Sequence, residues 1–368
     1  MKTHTFIYSL VIALFLPVCA NANVVYQVID LGTLGGNYSC AFSINDNGQI
    51  VGGSSMSSGY KPHACLFDST GGGANIDLGT LGGDESCALS INNSGQIVGW
   101  SRNKYGYYHA CLFDSTGNKL NKDLKTLGGL YSYAISVNNN GQVVGFATKN
   151  STRPACLFDP TGGGANKDLG TLGGNYGQAR SINNIGQIAG WAASSKGDRA
   201  CLFDPTGGGA NKDLGTLGGY TSRASSINDT GQIVGWATSP SYKHACLFDS
   251  TGHSVNIDLG VIPGYTDSEA RAINNIGQIV GTALDSSYNS CAVLFDPTGG
   301  GYNIDLNTLI DPACGWYLED AYSINNSGWI VGIGINPDGF EYAYLLIPEP
   351  ATILLLGLGA LYLKKRRK

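Results

Sequence analysis

The sequence predicts an all-β fold, a seven-bladed β-propeller closed by its own N-terminal strand. Three observations predict it. First, 54 of 368 residues are Gly while only 13% are charged, and no segment holds a 3.6-residue apolar period. Second, one phrase, GQIVG or a variant, begins at Gly48, Gly95, Gly141, Gly186, Gly231, Gly277 and Gly328, in steps of 47, 46, 45, 45, 46 and 51 residues. Four short strands every 45 or so residues are the mark of propeller blades. Third, the chain opens on a lone fourth strand (Val24–Gly32) and ends on a third strand (Glu341–Ile347) that lacks its fourth. The first strand can therefore complete the last blade and leave no open edge. A β-solenoid is the alternative.

The first 22 residues form a signal peptide. Lys2 supplies the positive start and IYSLVIALFLPV the apolar core. Ala20-Asn21-Ala22 fits the small-x-small cleavage rule, so cleavage falls between Ala22 and Asn23. A lipid-anchored start at Cys19 is the alternative.

The body runs over residues 23–347. In the second unit, Ser86–Asn92 is strand one and Asn93-Ser94-Gly95 a turn whose Asn and Gly tolerate positive φ. Gln96–Ser101 is strand two, His109–Phe113 strand three and Lys119–Leu124 strand four, with a polar loop after strand two. Two further phrases keep the same beat. DLG or a variant starts at Asp30, Asp77, Asp123, Asp168, Asp213, Asp258 and Asp305. ACLFD centres on Phe67, Phe113, Phe158, Phe203, Phe248 and Phe295, with Tyr344-Leu345-Leu346 as a degenerate seventh copy. Most units add LGTLGG and SINN. These phrases are similar to the HAF repeats of extracellular bacterial proteins. That resemblance implies export and a repeat fold, but no activity.

Residues 348–368 form a separate tail. Pro348-Glu349-Pro350 precedes the apolar run ATILLLGLGALYL, then Lys364-Lys365-Arg366-Arg367-Lys368. Thirteen residues of helix span about 20 Å, short of a hydrocarbon core of about 30 Å. The basic end stays cytoplasmic by the positive-inside rule. The arrangement resembles the PEP-CTERM sorting signal of Gram-negative bacteria. The resemblance implies a membrane transpeptidase, exosortase, that reads Pro348, Glu349 and Pro350 and removes the tail. It also implies a transient inner-membrane anchor, then the cell surface or extracellular matrix. A plain membrane helix is the alternative.

Outside residues 1–22 and 351–368, 16 cationic side chains face 27 acidic ones. A net charge near −11 disfavours nucleic acid and anionic lipid as partners. Cys65, Cys111, Cys156, Cys201 and Cys246 share one repeat position. Adjacent sheets pack about 10 Å apart and a disulfide needs Cα atoms within about 7 Å, so these thiols are expected to pack rather than crosslink. His63, His109 and His244 also share a position, which reads as an exposed strand end. No CxxC, HExxH or nucleophile elbow occurs, so no catalytic residue, cofactor or metal is expected. The SINN turns read as Asx turns, with calcium loops as the alternative. Trp100, Trp191 and Trp236, with Phe146 in register, are expected to pack between blades.

One pattern points to a ligand. After the Gly-rich phrases come Tyr38, Tyr131, Tyr176, Tyr220 and Tyr265, with Trp316-Tyr317 in the last unit. Aromatic faces beside Asn and Asp suit sugar rings, and the alternative is that the rings cover the Gly loops. The expected function is an exported, non-enzymatic interaction or matrix module. Its expected partners are signal peptidase and exosortase during export, then exopolysaccharide or surface proteins. The alternatives are a propeller enzyme acting on polysaccharide, with the break at Asp311–Asp320 as its place, and a structural protein-binding scaffold.

Overall fold

A computed structural model describes residues 26–57, 61–252 and 255–349. The signal peptide, Pro350 and the apolar tail helix lie outside the described residues.

The described chain folds into seven four-stranded antiparallel sheets, and six of them run inner to outer in chain order. Blade 1 is Gly35–Ile44, Ile50–Met56, Pro62–Phe67 and Ile76–Gly79. Blade 7 takes Tyr317–Ile324, Ile330–Ile335 and Glu341–Pro348 from the C-terminal unit, and Tyr26–Asp30 from the other end of the chain. Tyr26 pairs with Pro348 and Asp30 with Tyr344, so the ring closes as the strand count predicts and the solenoid is excluded. The closing strand ends at Asp30 rather than Gly32, Val24 lies outside the described residues, and the first residue of the Pro-Glu-Pro motif is a rung of its ladder. Two 3-10 turns, Leu306–Leu309 and Pro312–Cys314, occupy the long last unit, each N-capped by an Asp side chain.

The hydrophobic core is split into seven parts, one between each pair of adjacent blades. Val51, Ala64 and Leu78 of blade 1 pack on Ala88, Ile91, Ile97, Cys111 and Phe113 of blade 2, and the pattern repeats around the ring. Each repeat therefore buries its apolar surface only against its neighbours. Cys65, Cys111, Cys156, Cys201 and Cys246 sit in these seams as free thiols with no exposed surface. Burial pushes all of them up, which leaves them inert at neutral pH. The glycine of the GQIVG phrase stands beside a β-bulge of the innermost strand. A Cβ at Gly145 would lie 1.9 Å from the Tyr133 carbonyl oxygen, so no other residue fits.

The two ends of the barrel differ. The turns between the first and second strands and between the third and fourth lie at one end, called here the asparagine end. The loops between the second and third strands, and the crossings to the next blade, lie at the other, the crossing end.

At the asparagine end the SINN turns form closed rings. The first Asn of each turn donates its side-chain N–H to the backbone oxygen of its counterpart in the next blade. The circuit runs Asn45, Asn92, Asn138, Asn183, Asn228, Asn274, Asn325 and back to Asn45, at 2.8–3.1 Å. A second circuit joins each following backbone N–H to the next side-chain oxygen, from Asp46 through Asn93, Asn139, Asn184, Asp229, Asn275 and Asn326 to Asp46 again. Each first Asn is buried, and its oxygen also accepts its own turn's backbone N–H, as at Gln49 and Gln96. The Asx-turn expectation is met, and the same side chain also staples neighbouring blades.

Candidate functional site

The innermost strands line a central channel. Three residues before the buried Asn, the column Phe42, Leu89, Ile135, Arg180, Ser225, Arg271 and Tyr322 forms one tier of its wall. The next column is Ser43, Ser90, Ser136, Ser181, Ser226, Ala272 and Ser323. Both face the channel because the bulge breaks strand alternation between Ala41 and Ser43 and at the equivalent places. Together with Tyr133, Phe146 and Gln178 they enclose a cavity of about 340 Å³. A separate cup of about 180 Å³ opens among the Asn circuits at the opposite mouth.

Each channel serine except at blade 6, where Ala272 stands, accepts a backbone N–H from the neighbouring blade. Ser43 takes that of Ile91, Ser90 that of Val137, and so around to Ser323 with Ile44, at 3.2–3.4 Å.

Above the serines, between the channel and the crossing end, aromatic and cationic side chains alternate. Trp100 meets Tyr108 edge-on with centroids 5.2 Å apart, and Tyr133 stacks on Phe146 at 4.8 Å. Arg153 lies over Phe146 at 4.7 Å, and Arg223 over Trp191 at 4.2 Å. Burial pushes the Tyr133 phenol up to about 12. Trp100, Trp191, Trp236 and Phe146 thus pack at the inner ends of the blade seams, as expected from their shared position.

On the far side of the channel the charges pair. Arg271 Nη2 lies 2.9 Å from Asp320 Oδ2 and its Nη1 2.6 Å from Glu269 Oε2. Lys243 Nζ reaches Glu269 at 2.6 Å, and Arg223 pairs with Asp198. Burial raises Asp320 despite Arg271, whereas at Glu269 the two cations outweigh burial and hold the carboxyl low. Asp320, from the break in the last unit, is therefore a structural ion-pair partner here.

The histidines are not bare strand ends. His63, His109 and His244 each place Nδ1 2.9 Å from the fourth-strand Asp of their own blade, Asp77, Asp123 and Asp258. Cys291 fills the same position in blade 6, with its thiol 3.0 Å from Asp305. Among the described residues, no group of three His, Cys, Asp or Glu side chains is placed to hold a metal ion.

The predicted rim residues all lie at the crossing end, but in three registers. Counted back from the buried Asn, Tyr38, Tyr131 and Tyr176 stand seven residues before it, Tyr220 and Tyr317 eight, and Tyr265 and Trp316 nine. Their surroundings differ accordingly. Tyr131, Tyr176, Tyr220 and Tyr317 are 40%, 50%, 81% and 41% exposed. Tyr38 is half-buried beside Cys40, Tyr265 bonds to Tyr317 and Cys291, and Trp316 packs edge-on against Tyr344 at 6.3 Å. The loops between second and third strands add exposed Tyr105, Tyr242, Tyr288 and Phe340, which sequence reading did not single out. Among the described residues, the exposed large hydrophobic side chains of the asparagine end are aliphatic apart from Tyr302.

Comparison with known proteins adds an address. Residues 346–368 match the family model for the PEP-CTERM protein-sorting motif. The tail carries a sorting signal. The motif marks an exported, surface-sorted protein of a Gram-negative bacterium, held transiently in the membrane and recognised by exosortase. No curated protein matches the chain. Among solved structures, a gluconolactonase from Xanthomonas campestris is similar over 88% of this chain and 90% of its own, at 10% identity and TM-score 0.42. A second protein, described as a candidate gluconolactonase, is similar over 66% of this chain and 81% of its own, at 10% identity and TM-score 0.35.

Proposed function

We propose that this protein is a non-enzymatic, surface-sorted binding module whose crossing end holds extracellular polysaccharide. The observation that carries the reading is the segregation of exposed rings. Eight exposed Tyr and Phe side chains, at 105, 131, 176, 220, 242, 288, 317 and 340, stand at one end of the described barrel. Aromatic faces stack on the apolar faces of sugar rings, while backbone and Asn groups beside them bond to hydroxyls. Several weak stacking sites on one rigid ring reach useful affinity for a polymer through effective concentration. The acidic body favours a neutral or cationic polymer over a sulfated one. The HAF-like repeats fit this role, since they supply a scaffold and leave the loops to vary.

The test is affinity electrophoresis of the exported protein in gels cast with the host's exopolysaccharide. The wild type is expected to be retarded. The Tyr176→Ala, Tyr220→Ala double variant is expected to run close to its mobility in a blank gel, with an unchanged melting temperature. Equal retardation of both proteins removes these two rings from binding. No retardation of the wild type by any host polysaccharide overturns the reading.

A further inference from the structure

Among the described residues, Arg180 lines the channel without a direct carboxylate partner, and Glu269 acts on it only from beyond contact. Arg271, Arg223 and Lys243 each have a carboxylate partner. Arg180, on the same tier as Arg271, has no ion pair and no hydrogen-bond acceptor among the described residues. Its side chain is reached by channel solvent although blades surround it. That enclosure, with Arg271 and Arg223 nearby, pulls its guanidinium down to about 10, so it stays charged at neutral pH. An unpaired guanidinium presents five N–H donors in a fork that matches a carboxylate.

The serine tier adds donors of the same sense. Ser43, Ser90, Ser136, Ser181, Ser226 and Ser323 each already accept a backbone N–H. A hydroxyl that accepts in this way still has its own O–H to give, and among the described residues none of the six donates to a protein acceptor. The cavity thus offers donors from one cation and a circle of hydroxyls. The neighbouring carboxylates Glu269 and Asp320 are engaged by Arg271 and Lys243. Phe42, Tyr133, Phe146 and Tyr322 add aromatic walls. About 340 Å³ lies within the range of small-molecule sites.

We infer that the channel is a binding site for a carboxylate-bearing sugar, with Arg180 as the group that recognises the carboxylate. The chemistry requires an acceptor-rich anion small enough for the cavity and with apolar C–H faces for its walls. A free sugar acid and the uronic end of a longer glycan share that chemistry. The inference does not depend on polymer binding at the rim.

The experiment is calorimetric titration of the whole exported protein with glucuronate, glucose, inorganic phosphate and a tetrasaccharide ending in glucuronate. Glucuronate or the tetrasaccharide is expected to bind, glucose at least tenfold more weakly. Binding of the monomer indicates a free sugar acid, and binding of the tetrasaccharide alone indicates a glycan end. Arg180→Gln is expected to weaken binding at least tenfold without lowering the melting temperature, because it removes an unpaired cation. Arg180→Lys, which keeps the charge and loses the fork, is expected between the two, and it serves alone if Arg180→Gln does not fold. No binding of either uronate by the wild type overturns the inference. So does equal binding by wild type and both variants, and so does phosphate binding more tightly than glucuronate.

Discussion

Asn138→Ala measures what the buried asparagine circuit contributes to closing the ring. The side chain is 4% exposed. Its N–H donors reach the Asn183 carbonyl at 2.9 Å and Gln142 Oε1 at 2.7 Å. Its oxygen accepts the backbone N–H of Asn140 at 3.1 Å and of Gln142 at 2.9 Å. Truncation removes all four bonds. The Gln142 side chain and the Asn140 N–H lie near solvent and recover water, and the Asn183 carbonyl keeps the Gly186 N–H at 3.1 Å, so the Gln142 backbone N–H is left unsatisfied and one inter-blade bond is lost. At about 1–3 kcal/mol for the N–H left without a partner, and about 1 kcal/mol for the lost inter-blade bond, the expected loss is about 3 kcal/mol. In a domain of this size, that lowers the melting temperature by roughly 4–5 °C. Asn139→Ala is the matched control. It breaks the exposed circuit, where its oxygen accepts from the Asn93 N–H at 2.9 Å, and water replaces it. Its expected cost is under about 1 kcal/mol. Differential scanning calorimetry of the two variants beside the wild type reads the difference. Equal melting temperatures for both would refute the claim that the buried circuit holds neighbouring blades together.

Other perturbations follow from the same geometry. Ala272→Ser supplies the hydroxyl missing from the channel tier and gives the Ile324 N–H an acceptor, so stability is expected to rise by about 0.5–1 kcal/mol in urea titrations. Deleting residues 24–32 removes the strand paired with Glu341–Pro348 and exposes a ladder edge; light scattering and thermal melts are expected to show aggregation or a loss of cooperative unfolding, and a soluble protein with unchanged melting would refute closure. Acid is expected to destabilise the fold. Burial pulls the carboxyls of Asp77 and Asp123 up, but Lys119 with the Gly79 N–H, and His109 with the Lys125 N–H, outweigh it and hold them low. Groups depressed in the folded state stabilise it above the ordinary carboxylate range and lose that contribution as pH falls through their folded values, whereas Asp320, raised by burial, runs the other way. Melting temperatures are therefore expected to hold from about pH 7 to about pH 5 and to drop toward about pH 3.

The architecture was legible because one solution is repeated seven times. Any single GQIVG phrase is weak evidence for a strand, but seven at a near-constant step, with a fourth strand displaced to the front, specify a closed ring. The His63–Asp77 pair escaped notice because its members lie in different strands, 14 residues apart, and meet only through blade register. The rim column was blurred because the segments before Tyr220 and Tyr265 differ in length from those before Tyr38, so residues that look equivalent in the phrase fall in three registers. The channel wall was hidden for another reason. It takes one residue per blade, about 45 residues apart, and Leu89, Arg180 and Ser225 share no chemistry. The signal was present as a contrast: the column three residues before the buried Asn changes freely, while the columns around it hardly change.

Tyr26 and Pro348 face each other across the last rung of blade 7, where the third strand descends to the asparagine end and the closing strand sets out from it. Both connections to the rest of the polypeptide therefore leave the barrel side by side, at the pole opposite the exposed rings. Whatever precedes Tyr26 and whatever follows Pro348 join the body at one pole. The exposed rings therefore lie at the pole away from the point where the sorting tail joins the barrel.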